Sequence, residues 1–273
     1  MESIRKSVIA GSWYPGDPAT LKTDIAGYFR NVPDRDIAGE IVGLIAPHAG
    51  YLYSGQVAAH AYKLICKKTY DAVILVGPSH RVAFRGVSIF GRGAYETPLG
   101  LVSVDEKLAS ELQSQSGMIV DYPAAHAQEH SLEIQLPFLQ VALGSFVFVP
   151  LIMGDQDAGT CRELAGAISR IASTRRLLVV ASSDLSHFHA DREAKAIDGI
   201  ALGHLQNEDP LGLLESLAAG TAEACGGGPM VVAMLTAQAL SARRAALLKY
   251  ANSGDVTGDR KSVVGYAAAV YYR

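Results

Sequence analysis

The 273-residue chain has little charge and no basic excess: charged residues make up 19% and the formal net charge is −3. Nucleic-acid-binding proteins usually carry a basic patch or stripe, so this composition speaks against that class. No block of like charges reads as a solvated tail. No apolar run reaches the ~18 residues that a membrane helix needs. The opening MESIRKSVIAGSWYPGD has no apolar stretch after its basic residues, which predicts no secretory signal. Cysteine is scarce. Cys66, Cys161 and Cys225 are odd in number, far apart and free of any CxxC. That pattern argues against a disulfide framework and a zinc ribbon, and a reducing cytoplasm is the expected setting. Also missing are GxxxxGK[ST], HExxH and GxSxG, and the GRG at 91–93 is no dinucleotide fingerprint.

What the chain does have is apolar mass. Hydrophobic residues are 49% of it, enough at this length for a large core. Short apolar runs alternate with amphipathic stretches. IVGLIA (41–46), AVILVG (72–77), FVFVPLIM (146–153) and RLLVVASSD (176–184) read as buried strands. VSIF (87–90) reads as another, followed by the turn-rich GRGAYETPLG. Helices are expected after Ser54, after Asp105, after Asp157 to about Ala172, and over DREAKAIDGIALGHL, PLGLLESLAA and PMVVAMLTAQALSA. HSLEIQLPFLQVAL reads as helical with a break at Pro137. AALLKYAN and SVVGYAAAVYY close the chain as strands. This alternation predicts one α/β domain over residues 1–273, with a largely parallel central sheet flanked by helices. Extra strands near 87–104 would extend or flank that sheet.

Three of the strand runs end alike. His48 follows IVGLIA, His80 follows AVILVG, and Asp184 and His187 follow LLVVASS. Ligands of parallel α/β sheets bind beyond the carboxyl ends of the strands. A single loop histidine reads as a capping or solvent-facing residue. Three at one sheet edge read as a crevice able to hold a metal or move protons. Cys225 precedes Gly226-Gly227-Gly228-Pro229 and an apolar helix, where a thiolate is favoured. Equally, a glycine turn can carry a purely structural cysteine, and Cys66 and Cys161 read only that way. In Glu129-His130-Ser131-Leu132-Glu133, a helix would put the two glutamates on one face, either to orient metal ligands or simply to favour a helix start. His189 reads either way, whereas His60, His126 and His204 read as ordinary.

AGSWYP (10–15), APHAGYLYSG (46–55), GPSH (77–80), EHSLEIQLPF (129–138), SSDLSHF (182–188) and VVGYA (263–267) together resemble the Memo family, in order and over nearly the whole chain. In prokaryotes this family is the B component of the AmmeMemoRadiSam system. The resemblance implies a fold similar to the class III extradiol ring-cleaving dioxygenases (LigB-like), which use non-haem iron(II). It implies metal-ligand roles for His48 and His80, an acid–base role for His187, and Cys225 where those enzymes place a carboxylate. Asp184 would orient His187 or line the pocket, and Tyr53, Glu129 and His130 would surround it.

A thiolate in place of a carboxylate favours copper, zinc or thiolate-bound iron over catechol-cleaving iron. Iron(II) or copper is therefore the expected cofactor, with zinc compatible. Three functions follow as expectations. One is a metal-dependent redox or dioxygenase-like enzyme. The second is a non-catalytic module that binds a metal or peptide alongside AMMECR-type and radical SAM proteins. The third is metal-free thiol chemistry, with Cys225 as nucleophile and His187 as base.

Overall fold

The computed structural model describes residues 3–273. The first half runs β1 (Ile4–Arg5), α1 (Pro18–Arg30), β2 (Ile41–Ala46), α2 (Tyr51–Tyr62), β3 (Ala72–Pro78), β4 (Val87–Ile89), β5 (Ala94–Thr97), β6 (Gly100–Ser103), α3 (Glu106–Gln115), β7 (Ile119–Asp121), α4 (Pro123–Ala127) and α5 (Leu136–Leu143). The second half runs β8 (Phe148–Met153), α6 (Ala158–Ala172), β9 (Leu177–Ser182), β10 (His187–His189), α7 (Asp191–Gln206), α8 (Pro210–Ala218), α9 (Gly227–Ala239), β11 (Arg244–Asn252), α10 (Gly254–Thr257) and β12 (Val263–Tyr272).

Four strands form the parallel heart of the main sheet, in the order β2-β9-β3-β8. Every residue of these four is buried. Helices cover both faces of such a sheet, which is why the strands read as unbroken apolar runs. Antiparallel strands flank this heart. β12 pairs with β2 and also holds β11 and β10, while β4 pairs with β8 and continues to β7. Helix α9 packs on α6, α8 and strands β9 and β2, and α2 packs on α1, β12 and β11. The buried side chains form one continuous cluster, so the mixed α/β fold is a single domain.

Two of the expected helix starts follow from aspartate caps. Asp105 accepts from Leu108 N at 2.9 Å, and Asp157 from Gly159 N and Thr160 N at 2.8 and 3.1 Å. The helix expected after Ser54 begins earlier, at Tyr51. Ser54 lies inside it and donates its hydroxyl to Ala49 O. The segment from His130 to Leu143 is not one helix. A single 3₁₀ turn spans Glu133–Gln135, and α5 starts at Leu136 with Pro137 in its first turn, where a missing N–H costs nothing. The turn-rich GRGAYETPLG holds β5 and leads into β6 at Gly100; β5 and β6 join β1 in a separate small sheet, whereas β4 extends the main one. No helix among the described residues is long and apolar enough to cross a membrane.

Candidate metal centre

The carboxyl ends of β2, β3 and β9 adjoin, so the segments after them meet. His48 follows β2, His80 follows β3, and Asp184 and His187 follow β9. Cys225 comes from the far side of the chain, immediately before α9. Gly226 brings it in. A Cβ at Gly226 would lie 2.3 Å from Ser182 O at the end of β9, so only glycine permits that approach. Two bonds fix the turn: Gly226 N donates to Ser183 Oγ at 2.9 Å, and Gln156 Nε2 donates to Cys225 O at 2.9 Å. The Cys225 sulfur then sits 3.0 Å from His48 Nε2. One donor atom each from His48, His80 and Cys225 falls within 4.8 Å of the other two.

Hydrogen bonds set the proton positions of both rings. Ser182 Oγ donates its only hydrogen to Ser131 O at 2.6 Å and accepts from Gln135 Nε2 at 2.8 Å. Its remaining contact, His48 Nδ1 at 3.0 Å, must therefore be an N–H donor. The lone pair of His48 lies on Nε2, facing the sulfur. His80 Nδ1 lies 2.9 Å from Glu129 Oε1, and His80 N donates to Glu129 Oε2 at 2.7 Å. A carboxylate only accepts, so Nδ1 carries the hydrogen and Nε2 is left free. Carboxylate–histidine pairs of this kind orient metal ligands and raise their basicity.

Burial shapes the charges. It holds His48 well below the usual imidazole value, helped by the neighbouring His130 and His80. It holds His130 down at about 4, against the pull of Glu129. For Glu129 burial alone would raise the carboxyl, but the bonds from His80 and Ser131 hold it at about 2. Burial lifts Asp184 to about 7 despite the amide bond from His48. Burial, then the nearby Asp184, pushes the Cys225 thiol up to about 12. The thiolate expected from a helix N-terminus is thus not the resting form, because desolvation outweighs the helix end. A bound cation would reverse that balance.

His48, His80, His130, Asp184, His187 and Tyr53 all line one cavity of about 860 Å³. Asp184 spends its Oδ1 on the His48 amide at 2.7 Å, so it braces the His48 segment. Cys225 finds His48, not His187, at its sulfur, which weakens the thiol-nucleophile reading with His187 as base. The helix-face expectation for Glu129 and Glu133 fails, since both lie outside any α-helix. They act separately: Glu129 on His80, Glu133 on the N-terminal segment. His189 pairs with Glu223 at 2.9 Å, outside the donor group. His126 is not ordinary, being fully buried between Tyr95 Oη at 2.6 Å and Ser88 Oγ at 3.0 Å.

Sequence reasoning missed several supports. Trp13 packs on the ring of His130 with centroids 4.4 Å apart. Asp198 is fully buried on α7 and accepts from Ser186 N at 2.9 Å and from Tyr250 Oη at 2.7 Å, which pins the segment that carries Asp184 into β10 and His187. Gly265 leaves room for that carboxylate, since a Cβ there would fall 2.0 Å from it. The signals were VVGYA and SSDLSHF, whose small residues lie where these segments cross.

The family model described as Memo-like protein matches residues 5–270. The chain belongs to the Memo family. A MEMO1 family protein of Methanopyrus kandleri is 39% identical, covering 98% of this chain and 99% of the relative. One from Methanobrevibacter smithii is 37% identical with the same coverage, and one from Thermoplasma volcanium is 35% identical over 99% of both chains. Among solved structures, an uncharacterised protein of Escherichia coli K12 is similar with a TM-score of 0.56 and 12% identity, covering 85% of this chain and 100% of that one. At that identity the likeness concerns the fold alone. Membership of the Memo family therefore rests on sequence.

Proposed function

We propose that this Memo-family chain binds a transition-metal ion through His48 Nε2, His80 Nε2 and Cys225 Sγ, and that iron(II) or copper there makes it a redox protein of dioxygenase-like architecture. The single observation that carries the reading is the convergence of three donor atoms within 4.8 Å, from segments far apart in sequence. The hydrogen-bond pattern supports it, because both imidazole hydrogens are tied back to protein acceptors and leave one lone pair each. Two imidazoles and a thiolate suit copper, zinc or thiolate-ligated iron. Such an ion supplies electron transfer and Lewis acidity, zinc only the latter.

The surrounding residues bind and hold protons. Ser182 and Glu129 orient the ligand rings, and Asp184 braces the His48 backbone. Burial keeps His187 below the usual imidazole value, opposed by Leu185 and Glu223, so its ring is neutral near pH 7 and can accept a proton from a molecule in the cavity. Metal analysis of protein purified anaerobically without chelators tests the reading. About one equivalent is expected for the wild type, with His80→Ala much reduced and any ion held by Cys225→Ser lacking a thiolate ligand. Glu129→Gln keeps all three ligands and should cost ~10–100-fold in affinity through loss of ring orientation. Wild type and variants alike holding no metal would remove the proposal.

A second reading takes support from the cavity mouth. Leu52 is 68% and Phe188 76% exposed there, and Phe188 is held at φ 65°. Exposed apolar rims mark binding surfaces. In that reading the chain holds an ion or peptide without turnover and acts with AMMECR-type and radical SAM proteins. Association with such partners in anaerobic pull-downs, with no consumption of any oxidisable substrate, would favour it.

A further inference from the structure

His130 holds a polar atom with nothing to do. The residue is 8% exposed, and its Nδ1 is buried without a hydrogen-bond partner. Glu129 Oε1 lies 3.5 Å away, too far for a good bond, and already accepts from His80 Nδ1 and Ser131 N at 2.9 Å each. An orphaned buried polar atom is costly and calls for a functional account. Nothing in the packing requires it. Trp13 lies against the His130 ring at 4.4 Å and His80 stacks on it at 4.5 Å with 26° between planes, contacts that any flat ring would make.

The neighbours give the account. One donor atom each from His80, Glu129 and His130 lies within 4.8 Å of the other two, forming a group separate from that of Cys225 but sharing His80. We propose that the chain offers a metal ion a second position, between His80 Nδ1, the Glu129 carboxylate and His130 Nδ1, occupied in place of the first. This rests on the metal reading above and extends it. The donor set is two imidazoles and a carboxylate, harder than two imidazoles and a thiolate, and suits iron(II) and other hard or borderline divalent ions.

The two positions exclude each other through one ring. A neutral imidazole has one lone pair. The first position takes it from His80 at Nε2, with the hydrogen on Nδ1 bonded to Glu129. The second takes it at Nδ1, and the hydrogen moves to Nε2. One ion therefore sits at either place according to its hardness and to whether the Cys225 sulfur is available. Oxidation or capping of that thiol would shift the ion toward Glu129 and His130.

Cobalt(II) titration under anaerobic conditions tests this, because a cobalt–thiolate bond adds a near-ultraviolet charge-transfer band. The wild type should take up one equivalent with that band. Cys225→Ser should still take up one equivalent, without it. Adding His130→Phe to Cys225→Ser should weaken uptake by more than the ~100-fold that loss of an outer partner brings. His130→Phe alone should keep both stoichiometry and band, and phenylalanine preserves the flat ring beside Trp13. In a cobalt-soaked Cys225→Ser crystal, the anomalous peak should lie on Glu129 and His130. A peak on His48, or a double variant binding as tightly as Cys225→Ser, would overturn the second position. So would cobalt uptake by the wild type with none by Cys225→Ser, which leaves the first position standing. No uptake by the wild type would remove both.

Discussion

Glu133→Gln should destabilise the protein by ~3–5 kcal/mol, the usual cost of leaving a buried charge without its partner. Glu133 is fully buried and pairs with Arg5, which is itself only 5% exposed. Its carboxylate also accepts from Ser7 Oγ at 2.6 Å, Tyr14 Oη at 2.7 Å and Val8 N at 2.9 Å. Arg5 reaches further, donating from Nε to His126 O at 3.0 Å and to Glu129 O, with its guanidinium 5.0 Å from the Tyr95 ring centre. One ion pair thus ties the N-terminal segment to the turn that carries Glu129 and His130. Glutamine would leave the Arg5 charge unmatched and set an NH₂ against donors. Burial raises the Glu133 carboxyl, but Arg5 and the hydroxyl donors outweigh it and hold it below its ordinary value. The sign of the pH effect follows. The stabilisation is complete above the unfolded carboxyl's ~4.3 and fades as pH falls through the lower folded value. Denaturant unfolding at pH 7 reads the main effect, and Arg5→Met with Glu133→Leu should recover only part of it, because Ser7, Tyr14 and Val8 N lose their acceptor. A loss below ~1 kcal/mol, the size of an exposed pair, would show that this pair does not hold the segment.

Metal affinity should climb with pH, ~10-fold per unit and ~100-fold between pH 7 and pH 9, for one proton released per ion. The source is Cys225. Burial and Asp184 push its thiol up to about 12, so across that range the sulfur is protonated without metal and deprotonated with it. His48 adds no slope, because burial keeps its ring neutral throughout. Cys225→Ser should flatten the profile, since it has no thiol to ionise and the ion taken up beside Glu129 and His130 releases no proton. Competition against a chelator of known affinity at several pH values measures the slope. A wild-type slope as flat as that of the serine variant would mean that the sulfur is not a ligand.

Much of this site is legible in the sequence, for a specific reason. Parallel strands buried on both faces read as unbroken apolar runs, and the residues just beyond them must lie on one edge. His48, His80, Asp184 and His187 fall there by position alone. Aspartate caps were legible as well, and Asp17-Pro18 at the start of α1 carried the same signal unused. Contacts between distant segments were not legible. The Memo resemblance pointed to Cys225 as a ligand, but no local rule places it beside His48, 177 positions away; Gly226 passing over Ser182 O does. Arg5 and Glu133 are 128 positions apart, and a lone arginine near a chain start carries no signal of burial. The Glu129–Glu133 stretch misled because its helical spacing is real, yet Glu129 turns back to His80 and Glu133 to the N-terminal segment.

An ion bound among His48, His80 and Cys225 would be directly visible. The most direct measurement is an anaerobically grown crystal of wild-type protein with anomalous data collected at the iron, copper and zinc edges. A single peak within bonding distance of His48 Nε2, His80 Nε2 and Cys225 Sγ is the predicted result. An edge scan with no metal signal, or a peak that leaves the Cys225 sulfur unbound in reduced protein, would contradict it.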